Sequence, residues 1–173
     1  MRRLIRWALL AAFVMASWNV SAMGGPLTMP KNTLAGKAAP DFVLPTLAGA
    51  KISFTEYRNG QKAIIFFWAT WCPHCREALA EINQDLENFK RQDIKLVIVD
   101  VGEIEKEVRA YTVRYKIGMD VFIDADSEVS ERYGIIGVPT FFFVNSSGKV
   151  VDVRHNLPEH YEEIFSASPY GPL

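Results

Sequence analysis

The sequence predicts an α/β domain with a central mixed β-sheet and helices on both faces. Three observations carry that expectation. The compact apolar run AIIFFW at 63–68 reads as a strand buried on both faces. Further apolar runs alternate with stretches whose apolar residues recur at spacings of three and four, the order in which strand–helix–strand units build a parallel core. Near the end, two alternating segments flank Asn145-Ser146-Ser147-Gly148, a turn that joins antiparallel strands.

The elements follow in order. Phe42 to Leu44 and Lys51 to Phe54, with a turn at Gly49 between them, form a short N-terminal β-hairpin. Ala63 to Trp68 is the first central strand. Leu79, Ile82, Leu86 and Phe89 line one face of a single long helix, and Ile94 to Val101 (IKLVIVDV) is the second strand. Ile104, Val108, Tyr111 and Tyr115 mark a second amphipathic helix. Val121 to Ile123 is a brief strand and Ser127 to Tyr133 a short helix. Val138 to Val144 and Lys149 to Arg154 make the closing hairpin. Pro158 to Phe165 is a last helix, with the proline in its first turn. Crossovers between the parallel strands are expected to be right-handed.

The chain has 173 residues, enough for one domain and a targeting segment. With 19 basic and 20 acidic residues, it has no electrostatic case for nucleic-acid binding. Arg2, Arg3 and Arg6 precede the uninterrupted apolar stretch Trp7 to Met15, and Val20-Ser21-Ala22 offers small residues for a cut. That layout predicts a signal peptide over 1–22. The alternative is an uncleaved anchor continuing to Met23, about 17 residues and at the short edge of a bilayer span. Both place the folded part outside the cytoplasm, periplasmic or otherwise extracytoplasmic, with membrane contact only if the segment stays. Residues 23–39 read as a linker, 40–166 as the folded domain and 167–173 as a flexible tail.

Both cysteines stand in Trp71-Cys72-Pro73-His74-Cys75. A bridge between them closes so small a loop that it restrains little of the unfolded chain, which suits switching better than stapling. The motif falls where the first strand gives way to a helix. A cysteine at a helix N-terminus gains the macrodipole and free N–H groups, and both favour the thiolate. Cys72 is therefore the expected nucleophile and Cys75, one turn inward, the resolving thiol. Pro73 suits the first helical turn. His74, when protonated, would favour the thiolate further. Pro73 and His74 are thus the tuning residues.

The stretch FFWATWCPHC, followed later by GVPTFFFVNSSGKVV, resembles the thioredoxin superfamily. The leading APDFVLPTLAGAKISF is similar to the TlpA/ResA-like branch of exported, often membrane-tethered thiol–disulfide oxidoreductases. The likeness spans residues 38–166, with Gly102 to Asp124 matching the helix and strand that this branch inserts centrally. It implies a thioredoxin-like fold and a disulfide exchanged with protein substrates. It also implies a redox partner protein and no cofactor or metal. Pro139 is implied to follow a cis bond across from the sulfurs. Val138 then offers backbone groups to a substrate strand, while Thr140 and Trp71 complete the docking rim.

The sequence also departs from the family. Phe66 stands where thioredoxins commonly carry a buried Asp, and Ala78 where this branch often has Glu. Glu77 lies one residue earlier, about 100° round the helix. These changes leave the proton-transfer group open. Ala80 replaces a customary proline, so the helix is expected to lack the family's kink. Pro-His between the cysteines resembles the loop of DsbA, an oxidant, whereas the branch implies a reductant, for example of the cytochrome c maturation kind. Reductase is the favoured direction. Three further readings compete with exchange. A peroxiredoxin-like peroxidase shares the opening motif, but Thr70 lies two residues before Cys72 rather than three. An exported copper chaperone would use two thiols and an imidazole, although Cys-x-x-Cys is not that family's spacing. An adaptor with a vestigial pair would leave both intact motifs without a purpose.

Overall fold

The structure, a computed structural model, describes residues 32–166. The expected signal peptide or anchor, residues 23–31 of the expected linker and the tail 167–173 lie outside the described residues. Among those described, no helix is long and apolar enough to cross a membrane.

Five strands form the central sheet in the order β5-β4-β3-β6-β7. They are β3 (Lys62–Trp68), β4 (Ile94–Val101), β5 (Val121–Asp124), β6 (Thr140–Val144) and β7 (Val150–Arg154). β3, β4 and β5 run parallel, while β6 and β7 join antiparallel, so the sheet is mixed as predicted. β3 is central because it can be buried twice over. Ile64, Phe66 and Trp68 face one core and Ala63, Ile65 and Phe67 the other. Strand alternation thus sends an apolar residue to a core at every position from Ala63 to Trp68, each large one adding roughly 1.5–3 kcal/mol on burial.

The first core lies under α2 (Pro73–Gln84), α3 (Leu86–Arg91) and α4 (Glu105–Arg114), through Leu79, Ile82, Phe89 and Val108. The opposite core is closed by α1 (Phe54–Arg58) and α5 (Glu128–Arg132), through Phe54, Val129 and the adjoining Tyr133. The predicted N-terminal hairpin is present as β1 (Val43–Pro45) and β2 (Lys51–Ser53). Thr46 bridges to Phe122, and Leu47 N–H donates to Val121 O at 2.9 Å. The chain following β1 therefore covers the β5 edge, which would otherwise offer free pairing groups.

Several elements differ from expectation, each for a physical reason. The single long helix is two, because Asp85 leaves the helical path at φ −104° and ψ 13°. Its carboxylate accepts from Tyr161 Oη at 2.9 Å and from Asn88 Nδ2 at 3.2 Å, so a distant tyrosine holds the break. The last helix is a short 3₁₀ turn, Tyr161–Phe165. α1 was not expected, although Ser53 and Glu56 form a capping box that starts it. The Val138–Pro139 bond is cis, and β6 begins at Thr140 rather than Val138, because a proline has no N–H to donate to the ladder. Residues 32–39, assigned to the linker, are fastened to the domain. Gly36 N–H donates to Val150 O at 2.9 Å, Val150 N–H donates to Lys37 O at 2.8 Å, and Asn32 Nδ2 donates to Tyr133 O at 2.9 Å.

Candidate active site

At the C-terminal end of β3 the chain leaves the sheet through Ala69-Thr70-Trp71 and enters α2 at Cys72. Cys72 is the N-cap: its backbone is extended, at φ −83° and ψ 114°, and Pro73 opens the helix. The sulfur does the capping, accepting from Cys75 N–H at 3.2 Å. The first turn of α2 carries no acidic residue, so nothing there offsets the positive end of its dipole. Cys72 and Cys75 are joined as a disulfide. Cys72 retains 4% of its surface and Cys75 none, so an incoming group meets Cys72 first.

Opposite the sulfurs lies the loop before β6. Cys72 Sγ is 3.6 Å from the carbonyl oxygen of Val138, which precedes Pro139. Four of the residues singled out from sequence, Cys72, Cys75, Val138 and Pro139, therefore converge. Trp71 is 67% exposed and stands at the edge of this surface. Thr140 is placed differently: it is 3% exposed, and its hydroxyl donates inward to Gly137 O at 2.7 Å. It braces the loop rather than presenting a free group. His74 points to solvent, with Nδ1 3.3 Å from Glu77 Oε2. Glu77 is thus turned to His74 on the outer side of the helix.

Three features of the site were not found in the sequence. Ile136, two residues before Val138, is an apolar residue 79% exposed on the loop that faces the sulfurs. His155 lies 3.1 Å from Pro139 O and 3.2 Å from Thr140 Oγ1 through its Nδ1. Pro139 O can only accept and the threonine proton is already given to Gly137, so Nδ1 carries the hydrogen. The signal was available, since pairing β6 with β7 sets Phe141 opposite Arg154 and brings the following His155 beside Thr140.

The third feature is a buried acidic cluster. Glu103 accepts from Thr70 N–H and from Thr70 Oγ1, both at 2.5 Å, and so ties the loop that carries Cys72. Asp100, fully buried in β4, pairs in register with Trp68. Burial first, and then the neighbouring Glu103 charge, push its carboxyl up from 3.8 to about 8. Neither of its oxygens has a hydrogen-bond partner among the described residues. The sequence signal is a lone acid within an apolar strand. Beside the site, an open groove of about 570 Å³ runs between α2 and α4, lined by Pro73, Arg76, Ala80, Tyr111 and Tyr115. Among the described residues, no group of three or more His, Cys, Asp or Glu side chains is arranged to hold a metal ion.

Residues 35–153 match the model of the AhpC/TSA family. Thiol-disulfide oxidoreductase ResA of Geobacillus thermodenitrificans is 27% identical, over 94% of this chain and 97% of its own. Its namesake in Bacillus cereus is 31% identical, over 75% of this chain and 78% of its own. Among solved structures, StoA from Bacillus subtilis is 26% identical and superposes with a TM-score of 0.61, covering 74% of this chain and 96% of that one.

Proposed function

The chain belongs to the AhpC/TSA family, matched over residues 35–153, and from that premise we propose that it is an exported thiol–disulfide oxidoreductase that works through Cys72 and Cys75. The observation that carries this reading is a single one: the disulfide caps the start of α2 and faces the Val138–Pro139 loop. The name thiol-disulfide oxidoreductase, shared by the curated relatives, supports it.

In the reductive direction the Cys72 thiolate attacks a disulfide of the partner protein. A bond forms between Cys72 and one partner sulfur, and the partner's second sulfur leaves as a thiolate. Cys75 then gives up its proton and attacks Cys72 Sγ. The internal disulfide forms, the mixed one breaks, and the partner has gained two electrons. A separate dithiol protein restores the pair. Helix-start placement favours the thiolate at Cys72, because the Cys75 N–H and the dipole both stabilise negative charge at that sulfur. Pro73 fixes the first turn, and His74 adds a cation near the sulfurs when protonated.

Substrate would lie against Trp71 and the Val138-Pro139-Thr140 loop, pairing with the backbone of Val138 as an added strand does. His155 and Thr140 hold that loop in place, leaving the Val138 groups to the substrate. The folded domain is taken as residues 40–166, with 32–39 docked on it, following a signal peptide or anchor that delivers it outside the cytoplasm. Reduction is the favoured direction, with cytochrome c maturation as one setting. A peroxidase reading finds less support. The Thr70 hydroxyl, two residues before Cys72, donates to Glu103 at 2.5 Å.

The test is a pair of variants assayed for exchange with a disulfide-bonded protein. Cys72→Ser should lose activity entirely. Cys75→Ser should accumulate a mixed disulfide whose partner can be identified by mass. Full activity in Cys72→Ser would sink the reading.

A further inference from the structure

We propose that Asp100 is the proton-transfer group of this site, taking the proton that Cys75 must lose before it resolves the mixed disulfide. The proposal rests on the exchange reading above and names a residue for a step that reading leaves unassigned. Cys75 is fully buried, so its proton has no direct route to bulk water. On β3, Ile64, Phe66 and Trp68 face this core; Phe66 is an apolar ring stacked on Phe141 at 4.4 Å, and none of the three can accept a proton. Glu77 is turned outward to His74.

Asp100 is placed for the task by the sheet. Its Cα pairs with that of Trp68, the last residue of β3. Strand alternation puts it on the face shared by Leu96 and Ile98, the face whose core contains Trp68, Cys72 and Cys75. It therefore lies beneath the loop that carries Cys72, and Glu103, three residues further along the chain, is bound to that loop at Thr70. Both its oxygens and the buried Trp68 Nε1 lack partners among the described residues. Buried polar groups are nearly always paired. An acceptor and a donor on paired residues are therefore well set to share a water, which can relay a proton.

The chemistry balances. The carboxylate takes one proton from the Cys75 thiol, the thiolate sulfur attacks Cys72, and the partner sulfur leaves. The proton returns to the departing thiolate or to solvent. The charges acting on Asp100 are those of Glu103, from the loop after β4, and Asp124, at the end of β5, and both hold its proton on. A carboxyl raised into the range of an ordinary thiol is matched to its donor, whereas a carboxyl at its usual strength would be too weak a base.

The experiment follows single turnover of the full-length protein with a disulfide-bonded model peptide, timing the first and second thiol released across pH 6–9. In Asp100→Asn the second step should slow by about a hundredfold at pH 7, while the first step, timed alone in Cys75→Ser, keeps its rate. The rise of the second step with pH should lose its inflection, and Asp100→Glu should restore part of the rate. Equal slowing of both steps, or an unchanged inflection, would overturn the assignment. If Asp100→Asn does not fold, carbon-13 carboxyl shifts of the wild-type protein decide instead. The Asp100 midpoint should rise when the pair is reduced to a nearby thiolate, and identical midpoints in both redox states would overturn the proposal. A wild-type protein that released neither thiol would bring down the exchange reading as well, and is distinguished by that fact.

Discussion

Replacing Asp100 by Asn should change how stability depends on pH, in a direction and by an amount that the structure sets. The carboxyl is fully buried and without a partner among the described residues, so its charged form is disfavoured by burial first and by Glu103 second. Its folded value is raised from 3.8 to about 8. Between those limits the folded chain keeps a proton that the unfolded chain has lost. Stability contributed by this group is therefore complete below 3.8 and falls as pH rises, until the carboxyl ionises in the folded state near 8. One proton held in this way is worth at most about 1.4 kcal/mol per pH unit. From pH 5 to pH 7 the wild-type protein should lose about 3 kcal/mol through Asp100 alone. Asn does not titrate, so the variant should lack this slope and become the more stable of the two toward pH 8. Guanidinium unfolding of the oxidised proteins at pH 5, 6 and 7 measures the difference directly. Parallel stability curves for the two proteins would refute the reasoning, because they would mean that Asp100 carries its charge equally in both states.

Three other outcomes follow from the same structure. Phe66→Ala should cost about 3–5 kcal/mol in denaturant unfolding, since the ring is fully buried and stacked on Phe141; a loss below 1 kcal/mol would mean that the core refills. Glu103→Gln removes a charge that raises Asp100, so the Asp100 midpoint should fall below its wild-type value in a carboxyl titration. His155→Ala frees Pro139 O and Thr140 Oγ1. It should raise KM for a protein disulfide several-fold with little change in the redox equilibrium of the cysteines, as loss of one neutral hydrogen bond of about 1 kcal/mol implies.

What the sequence revealed, and what it did not, divides along the range of the interactions involved. β3 was legible because every residue from Ala63 to Trp68 is apolar, a run that a strand buried on both faces accommodates. The start of α2 was legible because Cys72 and Pro73 carry their own geometry. The closing hairpin was legible because its turn residues are specific. The break at Asp85 was not, since it depends on Tyr161 arriving from far along the chain. Residues 32–39 looked like a linker because their pairing partners, Gly148, Lys149 and Val150, are equally remote. α1 was different: the capping box at Ser53 and Glu56 was a local signal that could have been read.

The same division holds at the site. The Cys-Pro-His-Cys segment and the Val-Pro-Thr segment were found because each is local, and the fold brings them to 3.6 Å. Thr140 was expected on the outer surface, and only the packing of β6 against its neighbours turns its hydroxyl inward. Asp100 drew no attention as one acid in an apolar strand. Its properties come from the adjoining strands and from Glu103 and Asp124, which meet it only after folding.

The most direct test of the central claim is equilibration of the full-length protein in thiol redox buffers, with the state of Cys72 and Cys75 read by trapping free thiols. The account predicts one reversible two-electron transition belonging to this pair, nearer the roughly −270 mV of thioredoxin than the roughly −120 mV of DsbA. A transition near the DsbA value would reverse the proposed direction while leaving the site intact. If the pair stayed wholly oxidised or wholly reduced across the range, exchange through Cys72 and Cys75 would be contradicted.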